Sequence, residues 1–211
     1  MISVIIPTRN EEEGIGKVIK GIKELGKGYE VLVVDKSEDR TPEIARKMGA
    51  RVIRQSGFGK GDAMKLGVKE AKGDVVVFMD GDGTYQPSCI PKLIRFVGEY
   101  DLVRGSRARY LRNAGFLRFF ANIFLSMLAT LLYGKTTDLL TGLYCMKKED
   151  FEGMNLRSDG FEIETEIFIK AHRMGFKVKE VKVKYEKRVG KGKLKMRDGF
   201  KILKLLIRGT R

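Results

Sequence analysis

Two aspartates stand one residue apart, directly after an apolar segment of the chain. Asp80 and Asp82 flank Gly81, and residues 75–79 before them are all apolar. Two carboxylates at this spacing can converge on one hard cation, since Mg²⁺ or Mn²⁺ is typically held by one or two carboxylates together with substrate phosphates. Because Asp-Gly is also a common turn pair, the motif alone is equally consistent with an ordinary acidic turn.

Polar residues also follow the three apolar segments that precede this one. The residues concerned are Arg9, Glu11, Asp35 and, in a glycine-rich loop at 57–61, Lys60. Ligands of open α/β sheets bind beyond the carboxyl ends of parallel strands. A nucleotide bound there would meet Asp35 near its ribose or base, Lys60 near its phosphates and a metal ion on the two aspartates. The loop lacks the spacing of a P-loop, so a plain flexible turn is the alternative.

Hydrophobic periodicity predicts the frame that positions these residues. Apolar runs separated by amphipathic helices indicate a mainly parallel sheet covered on both faces, a three-layer α/β/α fold. The predicted strands are residues 2–6, 30–34, 51–54, 74–79, 101–103, 143–146 and 177–185. The predicted helices are residues 11–25, 41–48, 62–71, 88–97, 116–133, 162–174 and 196–207. We predict a single domain over residues 1–211, with a Rossmann-like half at 1–105 and a less regular half at 106–211.

Composition limits the class of protein and the chemistry of its partners. The 211 residues are 43% hydrophobic, and 42 Lys and Arg against 27 Asp and Glu give a net charge of +15. Such a charge favours anionic partners: nucleic acid, phosphorylated small molecules or an acidic membrane surface. Two cysteines and one histidine argue against a disulfide scaffold and a zinc site. Met1 leads directly into a strand segment, so we expect no signal peptide and a cytoplasmic protein.

Two helices of the second half have features of helices that bind a membrane surface. The helix at 116–133 carries an apolar stripe, with Asn122 and Ser126 on another face. Core packing is the ordinary explanation of such a stripe, and an interfacial helix is the alternative; the segment is too short and too polar to span a bilayer. On the C-terminal helix, at about 100° per residue, the cations fall within an arc of about 80°, which suits an anionic bilayer. These cations are Lys193, Arg197, Lys201, Lys204 and Arg208.

The motifs, taken in order, resemble those of the family 2 glycosyltransferases of GT-A fold, and most of all the dolichyl- or polyprenyl-phosphate sugar synthases. The matching stretches are VIIPTRNE at 4–11, VVD at 33–35 followed by Ser37 and DRT at 39–41, GKG at 59–61 with Ala63 and Gly67, DGD at 80–82, GSR at 105–107, the segment 138–144, and EV at 180–181 with Tyr185, Arg188, Gly190, Lys193 and Leu194. Arg9 replaces the usual tyrosine of the first motif. The resemblance covers nearly the whole chain.

The resemblance implies a role for each matching residue. It implies that residues 1–105 bind the nucleotide sugar and that residues 106–211 bind the acceptor. The nucleoside pocket would be lined by Pro7, Arg9, Glu11, Val33 and Asp35. The diphosphate, held through Mg²⁺ or Mn²⁺, would lie on Asp80, Gly81 and Asp82, with Lys60, Arg188 and Lys193 around it. Thr84 stands where relatives often have a glutamine, so the third metal ligand is assigned to Gln86. The residues implied to be catalytic are Asp82, Arg107, Arg188 and Glu166.

The resemblance also implies the reaction, an inverting, metal-dependent transfer of a hexose from a donor of GDP-mannose or UDP-glucose type to dolichyl or polyprenyl phosphate. Such an acceptor is already an anion and needs positioning by cations. The arginines suited to this are Arg107, Arg104, Arg109 and Arg112. A hydroxyl acceptor would instead need a general base, for which Asp138, Glu164 and Glu166 are the candidates. On a helix, Glu162 and Glu166 share a face, while Glu164 points elsewhere.

Three other interpretations stay open on the sequence alone. One is a family 2 transferase with a sugar-hydroxyl or soluble acceptor, and another is a catalytically silent protein that binds a nucleotide sugar. The third is a nucleic-acid-binding module, which no helix-turn-helix, zinc or aromatic-platform signature supports, so we predict no nucleic-acid partner. We expect peripheral association with the inner face of the cell membrane, with a membrane-anchored partner or a homodimer as further expectations.

Overall fold

Seven strands form one sheet at the centre of the protein. The computed structural model describes residues 1–107, 116–188 and 192–210, and the backbone alone at 116–118. The strands are β1 (Ile2–Thr8), β2 (Tyr29–Asp35), β3 (Arg51–Arg54), β4 (Val75–Phe78), β5 (Leu102–Ser106), β6 (Tyr144–Lys147) and β7 (Val178–Lys182). The helices are α1 (Ile15–Lys23), α2 (Thr41–Lys47), α3 (Lys60–Glu70), α4 (Ile90–Ile94), α5 (Phe116–Leu132), α6 (Lys148–Gly153), α7 (Ile163–Arg173) and α8 (Met196–Arg208). The strand order in the sheet is β3-β2-β1-β4-β6-β5-β7.

The first four strands are parallel, as predicted, so that their carboxyl ends share one edge. The predicted end of the first strand at Pro7 is wrong, because β1 continues to Thr8. The carbonyl of Ile5 accepts the N–H of Met79, so the backbone groups of Ile5 face β4, and so do those of Pro7 two residues later. Because β4 has already ended opposite Pro7, the missing N–H of Pro7 breaks no hydrogen bond of the sheet.

Alternate side chains of the strands enter two apolar layers, one on each face of the sheet. Val4 and Ile6 pack with α1, α2 and α4, whereas Ile5 packs with α3, α6 and α7. This is the three-layer α/β/α arrangement that the sequence predicts. A third apolar cluster joins α5, α7 and α8 through buried residues such as Ala129, Phe168 and Ile202.

The second half departs from a purely parallel pattern. β6 lies between β4 and β5 and is antiparallel to both, while β7 is parallel to β5. The predicted helix at 88–97 is shorter, consisting of α4 and a preceding 3₁₀ turn at Pro87–Cys89, and α6 was not predicted. After β7, Tyr185 pairs separately with Tyr85, so the predicted strand at 177–185 is interrupted. Among the described residues, no helix is long and apolar enough to cross a membrane.

Helix α5 is oriented with its polar side inward. Asn122, Ser126 and Ala129 are buried. Core packing is therefore wrong as the explanation for much of its apolar stripe. The exposed apolar residues of α5 are Phe120, Phe124, Met127, Leu131 and Leu132.

Candidate active site

Asp80 and Asp82 follow β4 at the edge where the parallel strands end. Two glycines leave room for them: a Cβ on Gly81 would crowd side chains of β1, and a Cβ on Gly142 would overlap the carboxylate of Asp80. Asp82 is buried, and its Oδ1 accepts the N–H of Thr84 at 3.0 Å and the Thr84 hydroxyl at 2.6 Å. The turn after β4 thus fixes the orientation of the second carboxylate.

A half-buried lysine connects the first aspartate to a glutamate of α7. Lys60 Nζ lies 2.6 Å from Asp80 Oδ1 and 2.6 Å from Glu164 Oε1. Burial alone would lower the pKa of Lys60, but the two carboxylates raise it above its ordinary value. Burial raises the pKa of Glu164, and Lys60 opposes that shift. Lys60 is therefore held as a cation at the site.

The segment after β7 brings two more cations to the same edge. Arg188 donates from NH1 to Asp82 Oδ2 at 2.5 Å and from NH2 to Glu11 Oε1 at 2.6 Å. Lys193 also bonds to Glu11 Oε1 and donates to the carbonyl of Asn10 at 3.1 Å. Burial would lower the pKa of Arg188, but Asp82 and Glu11 raise it overall. Four residues that the sequence assigns to the donor site therefore meet in one cluster.

The start of α3 is capped from within the protein. The carbonyl of Asp159 accepts the N–H of Gly61 at 2.7 Å and that of Asp62 at 3.2 Å. A Cβ on Gly59 or on Gly61 would overlap the backbone of residues 158–159. The glycine-rich loop therefore serves close packing, and its contribution to the site is the side chain of Lys60.

Asp35 is fully buried and bonded to its neighbours. Its Oδ1 accepts the hydroxyls of Thr8 at 2.8 Å and Ser37 at 2.5 Å. Its Oδ2 accepts the Ser37 N–H at 3.1 Å and Arg54 NH1 at 3.2 Å. In this arrangement Asp35 holds the ends of β1, β2 and β3 together, and its contact with a ribose or a base stays a prediction.

The other residues predicted for the nucleoside pocket divide between surface and core. Arg9 is exposed and Pro7 is half-buried at the end of β1, whereas the side chain of Val33 packs in the core. Sequence reasoning missed an exposed aromatic group nearby. Phe58 is 75% exposed, and Lys36 Nζ lies 3.6 Å from its ring centroid. The sequence could have indicated Phe58, because this residue lies in the loop after β3, at the edge of the sheet already assigned to a nucleotide.

Arg107 forms a buried ion pair with Asp138. Its Nε donates to Oδ2 and its NH2 to Oδ1, each at 2.7 Å, and Asn122 Nδ2 adds a bond to Oδ1 at 3.0 Å. Burial would raise the pKa of Asp138, but Arg107 lowers it overall, which argues against Asp138 as a base. The contact of Arg107 with an acceptor stays a prediction. Two other arginines of that prediction lie outside the described residues, Arg109 and Arg112.

Of the glutamates on α7, Glu164 is linked to Asp80 through Lys60, whereas Glu166 has other partners. Glu166 accepts the N–H of Arg157 at 3.0 Å and that of Ser158 at 2.7 Å, and Lys170 lies 3.1 Å away. Burial would raise the pKa of Glu166, but these hydrogen bonds lower it. The catalytic role assigned to Glu166 stays a prediction; its observed contacts shape the 157–159 segment. As helical spacing predicts, Glu164 points away from Glu166, and the face of α7 on which it lies is the one beneath Lys60.

The aspartate pair fits a hard divalent cation that is completed by ligand oxygens. Within the described residues, no three His, Cys, Asp or Glu side chains are grouped so that they could hold a metal ion by themselves. Two carboxylates plus substrate phosphates are a usual Mg²⁺ or Mn²⁺ set, so the donor chemistry matches. Gln86 Nε2 is buried and has no hydrogen-bond partner in the described part of the chain. Its assignment as third ligand stays a prediction.

Comparison with known proteins decides the family. The sequence profile described as Glycosyl transferase family 2 matches residues 3–152. The chain belongs to this family. As a family 2 glycosyltransferase, it is 36% identical over 197 residues to the dolichyl-phosphate hexose transferase of Haloferax volcanii, a match that spans 92% of this chain and 86% of that protein. It is also 35% identical over 223 residues to the dolichol-phosphate mannosyltransferase of Pyrococcus furiosus, spanning 98% of this chain but 63% of that protein.

A solved structure has the same fold as this glycosyltransferase. The glucosyl-3-phosphoglycerate synthase of Mycobacterium tuberculosis, in complex with Mn²⁺, UDP and glucosyl-3-phosphoglycerate, matches with a TM-score of 0.80 and 26% identity. The match covers 99% of this chain and 79% of that one. The predicted GT-A type fold is confirmed.

Proposed function

We propose that this glycosyltransferase moves a hexose from a nucleoside diphosphate sugar, of GDP-mannose or UDP-glucose type, to dolichyl or polyprenyl phosphate at a membrane surface. A Mg²⁺ or Mn²⁺ ion would be held by Asp80 and Asp82. The observation that carries the lipid acceptor is the orientation of α5, whose polar side faces inward and whose apolar side is exposed. The names of the two relatives, which refer to dolichyl or dolichol phosphate, support the same acceptor.

Helix α5 is fixed to the part of the protein that the acceptor would enter. Asn122 bonds to Asp138, the partner of Arg107, and the Ser126 hydroxyl accepts the N–H of Leu139 at 2.9 Å. Residues four, three and four apart on the opposite side face solvent, which is the spacing of one helix face. These residues are Phe120, Phe124, Met127 and Leu131. A polyprenyl chain and the bilayer that contains it supply the apolar medium that such a face requires.

Helix α8 packs beside α5 and adds positive charge. Ile202 and Leu206 share a buried cluster with Leu125 and Ala129 of α5. Its exposed residues are partly apolar and partly basic: Met196, Phe200 and Ile207, and Arg197, Lys201, Lys204 and Arg208. Apolar residues together with cations on one amphipathic helix favour an anionic bilayer. We call the exposed apolar residues of both helices the apolar surface of α5 and α8.

At the donor end, the developing charge on the leaving diphosphate must be neutralised. A divalent ion supplies this as a Lewis acid when bound. Arg188 and Lys193 can add charge-assisted hydrogen bonds, and Lys60 keeps a fixed positive charge beside Asp80. Because a lipid phosphate is already ionised near neutral pH, this chain needs to orient it and has no need of a strong base.

The test is a donor and acceptor panel. Purified protein is incubated with Mn²⁺ or Mg²⁺, polyprenyl phosphate and UDP- or GDP-sugars, and the glycolipid is detected by mass. Asp82→Asn is compared with Asp74→Asn, which changes an exposed aspartate at the opposite end of β4. We expect a glycolipid whose formation needs metal and Asp82 but not Asp74. Donor hydrolysis without glycolipid would reject the lipid acceptor, and the absence of any donor use would reject the proposal as a whole.

A further inference from the structure

Arg188 is hydrogen-bonded to the carboxylate oxygen of Asp82 that Thr84 does not contact. Both hydrogen bonds from Thr84 go to Asp82 Oδ1, so a metal ion on Asp82 would have to use Oδ2. That oxygen lies 2.5 Å from Arg188 NH1. A guanidinium and a divalent cation on one carboxylate oxygen repel each other, so the two compete for Asp82.

The second contact of Arg188 allows it to leave without stranding a buried charge. Its NH2 donates to Glu11 Oε1, which also bonds to Lys193. If Arg188 moves, Glu11 keeps Lys193 as its partner, and the large cost of an uncompensated buried carboxylate is avoided. The rest of the segment has anchors of its own. The Glu186 N–H donates to the Thr84 carbonyl at 2.8 Å, and Lys17 pairs with the Glu186 carboxylate at 3.0 Å.

We propose that Arg188 is a switch that couples binding of the metal ion to binding of the donor's diphosphate. It suppresses binding of a divalent ion to Asp82 until a nucleoside diphosphate is present. The diphosphate offers oxygens that accept the N–H groups of Arg188, which frees Asp82 Oδ2. Metal and diphosphate then bind with positive coupling, and by linkage each strengthens the other. The inference rests on the proposed function, since it assumes a metal site at Asp82.

The deciding measurement is the affinity for Mn²⁺ alone, read from the electron paramagnetic resonance signal of free Mn²⁺ without nucleotide. Arg188→Gln removes the competing cation and should raise this affinity by about tenfold, a usual size for a coupling between two sites. Lys147→Gln removes the same charge from an exposed pair with Glu149, at the opposite end of β4, and should leave it unchanged. Arg188→Lys keeps a cation and should bind Mn²⁺ as weakly as the wild type, with thermal unfolding of each variant as the check on folding.

The outcomes separate this inference from the proposed function. An unchanged or lowered Mn²⁺ affinity in Arg188→Gln, with Mn²⁺ binding still abolished by Asp82→Asn, would overturn the switch and leave the metal site intact. Mn²⁺ binding that is indifferent to Asp82→Asn, with and without UDP or GDP, would overturn the metal site itself. A second reading supports the switch if Arg188→Gln also weakens the binding of UDP or GDP in the absence of metal.

Discussion

Replacing two residues of the apolar surface of α5 and α8 should detach the protein from membranes. Phe124 is 59% exposed and Met127 is 68% exposed. Full burial of such side chains is worth about 1.5–3 kcal/mol each, so the exposed fractions leave about 1–2 kcal/mol for each to gain in a bilayer. A helix that lies in the interface buries only one face, so we take the lower end of this range, about 2 kcal/mol of membrane-binding free energy for the pair. This corresponds to about 30-fold in affinity for the membrane. Phe124→Ser combined with Met127→Ser should lose that factor.

The assay is co-sedimentation with vesicles made of equal parts phosphatidylcholine and phosphatidylglycerol. Phe58→Ser is the matched control, because Phe58 is 75% exposed but belongs to neither α5 nor α8. Neither serine variant should change thermal stability much, since each removes an exposed side chain. Vesicle binding by the double variant that equals that of the wild type, or an equal loss in Phe58→Ser, would refute the assignment of this surface to the membrane.

Three further predictions concern residues around the site. Asp138→Asn should destabilise the fold by about 3–5 kcal/mol in urea at neutral pH, because Arg107 loses its buried partner. Since Arg107 lowers the pKa of Asp138 despite burial, this contribution is present above the ordinary carboxyl pKa and is lost as pH falls through the lowered one; a deficit that persists unchanged in strong acid would argue against it. Glu166→Gln should raise KM for the donor more than it lowers kcat, by loosening the 157–159 segment; loss of the acidic limb of the pH–rate profile would instead indicate a general base. Gly142→Ala should weaken Mn²⁺ binding by about tenfold or more in the same titration, because its Cβ would displace the Asp80 carboxylate and a misplaced ligand costs metal affinity; Gly153→Ala, where a Cβ meets no neighbour, should not.

The alternation of apolar runs and helices was enough to predict the fold, because β1, β2 and β4 are largely buried on both faces and leave continuous apolar runs in the sequence. The antiparallel placement of β6 between β4 and β5 was not accessible in this way. The sequence of a four-residue strand does not indicate the direction in which it runs in the sheet. Which strands it pairs with depends on contacts between residues that are distant in sequence. The end of β1 was misplaced for a related reason: the effect of Pro7 depends on where β4 stops.

For the site, the sequence identified residues that the fold brings together but not their partners. Glu11, Asp82, Arg188 and Lys193 meet as one cluster. Helical spacing separates Glu164 from Glu166 but does not say which of the two faces the sheet edge, and that depends on how α7 packs. The same limit applies to α5, where the inward polar face is stabilised by residues 138–140, which are distant in sequence.

The central claim, transfer to a lipid phosphate, is tested most directly by comparing acceptors under one donor. With the donor sugar that the panel selects, initial rates are measured for polyprenyl phosphate, the unphosphorylated polyprenol and 3-phosphoglycerate. We predict that polyprenyl phosphate is glycosylated fastest, that this rate depends on Asp82, and that polyprenol is inert. Faster transfer to polyprenol or to 3-phosphoglycerate would contradict the account.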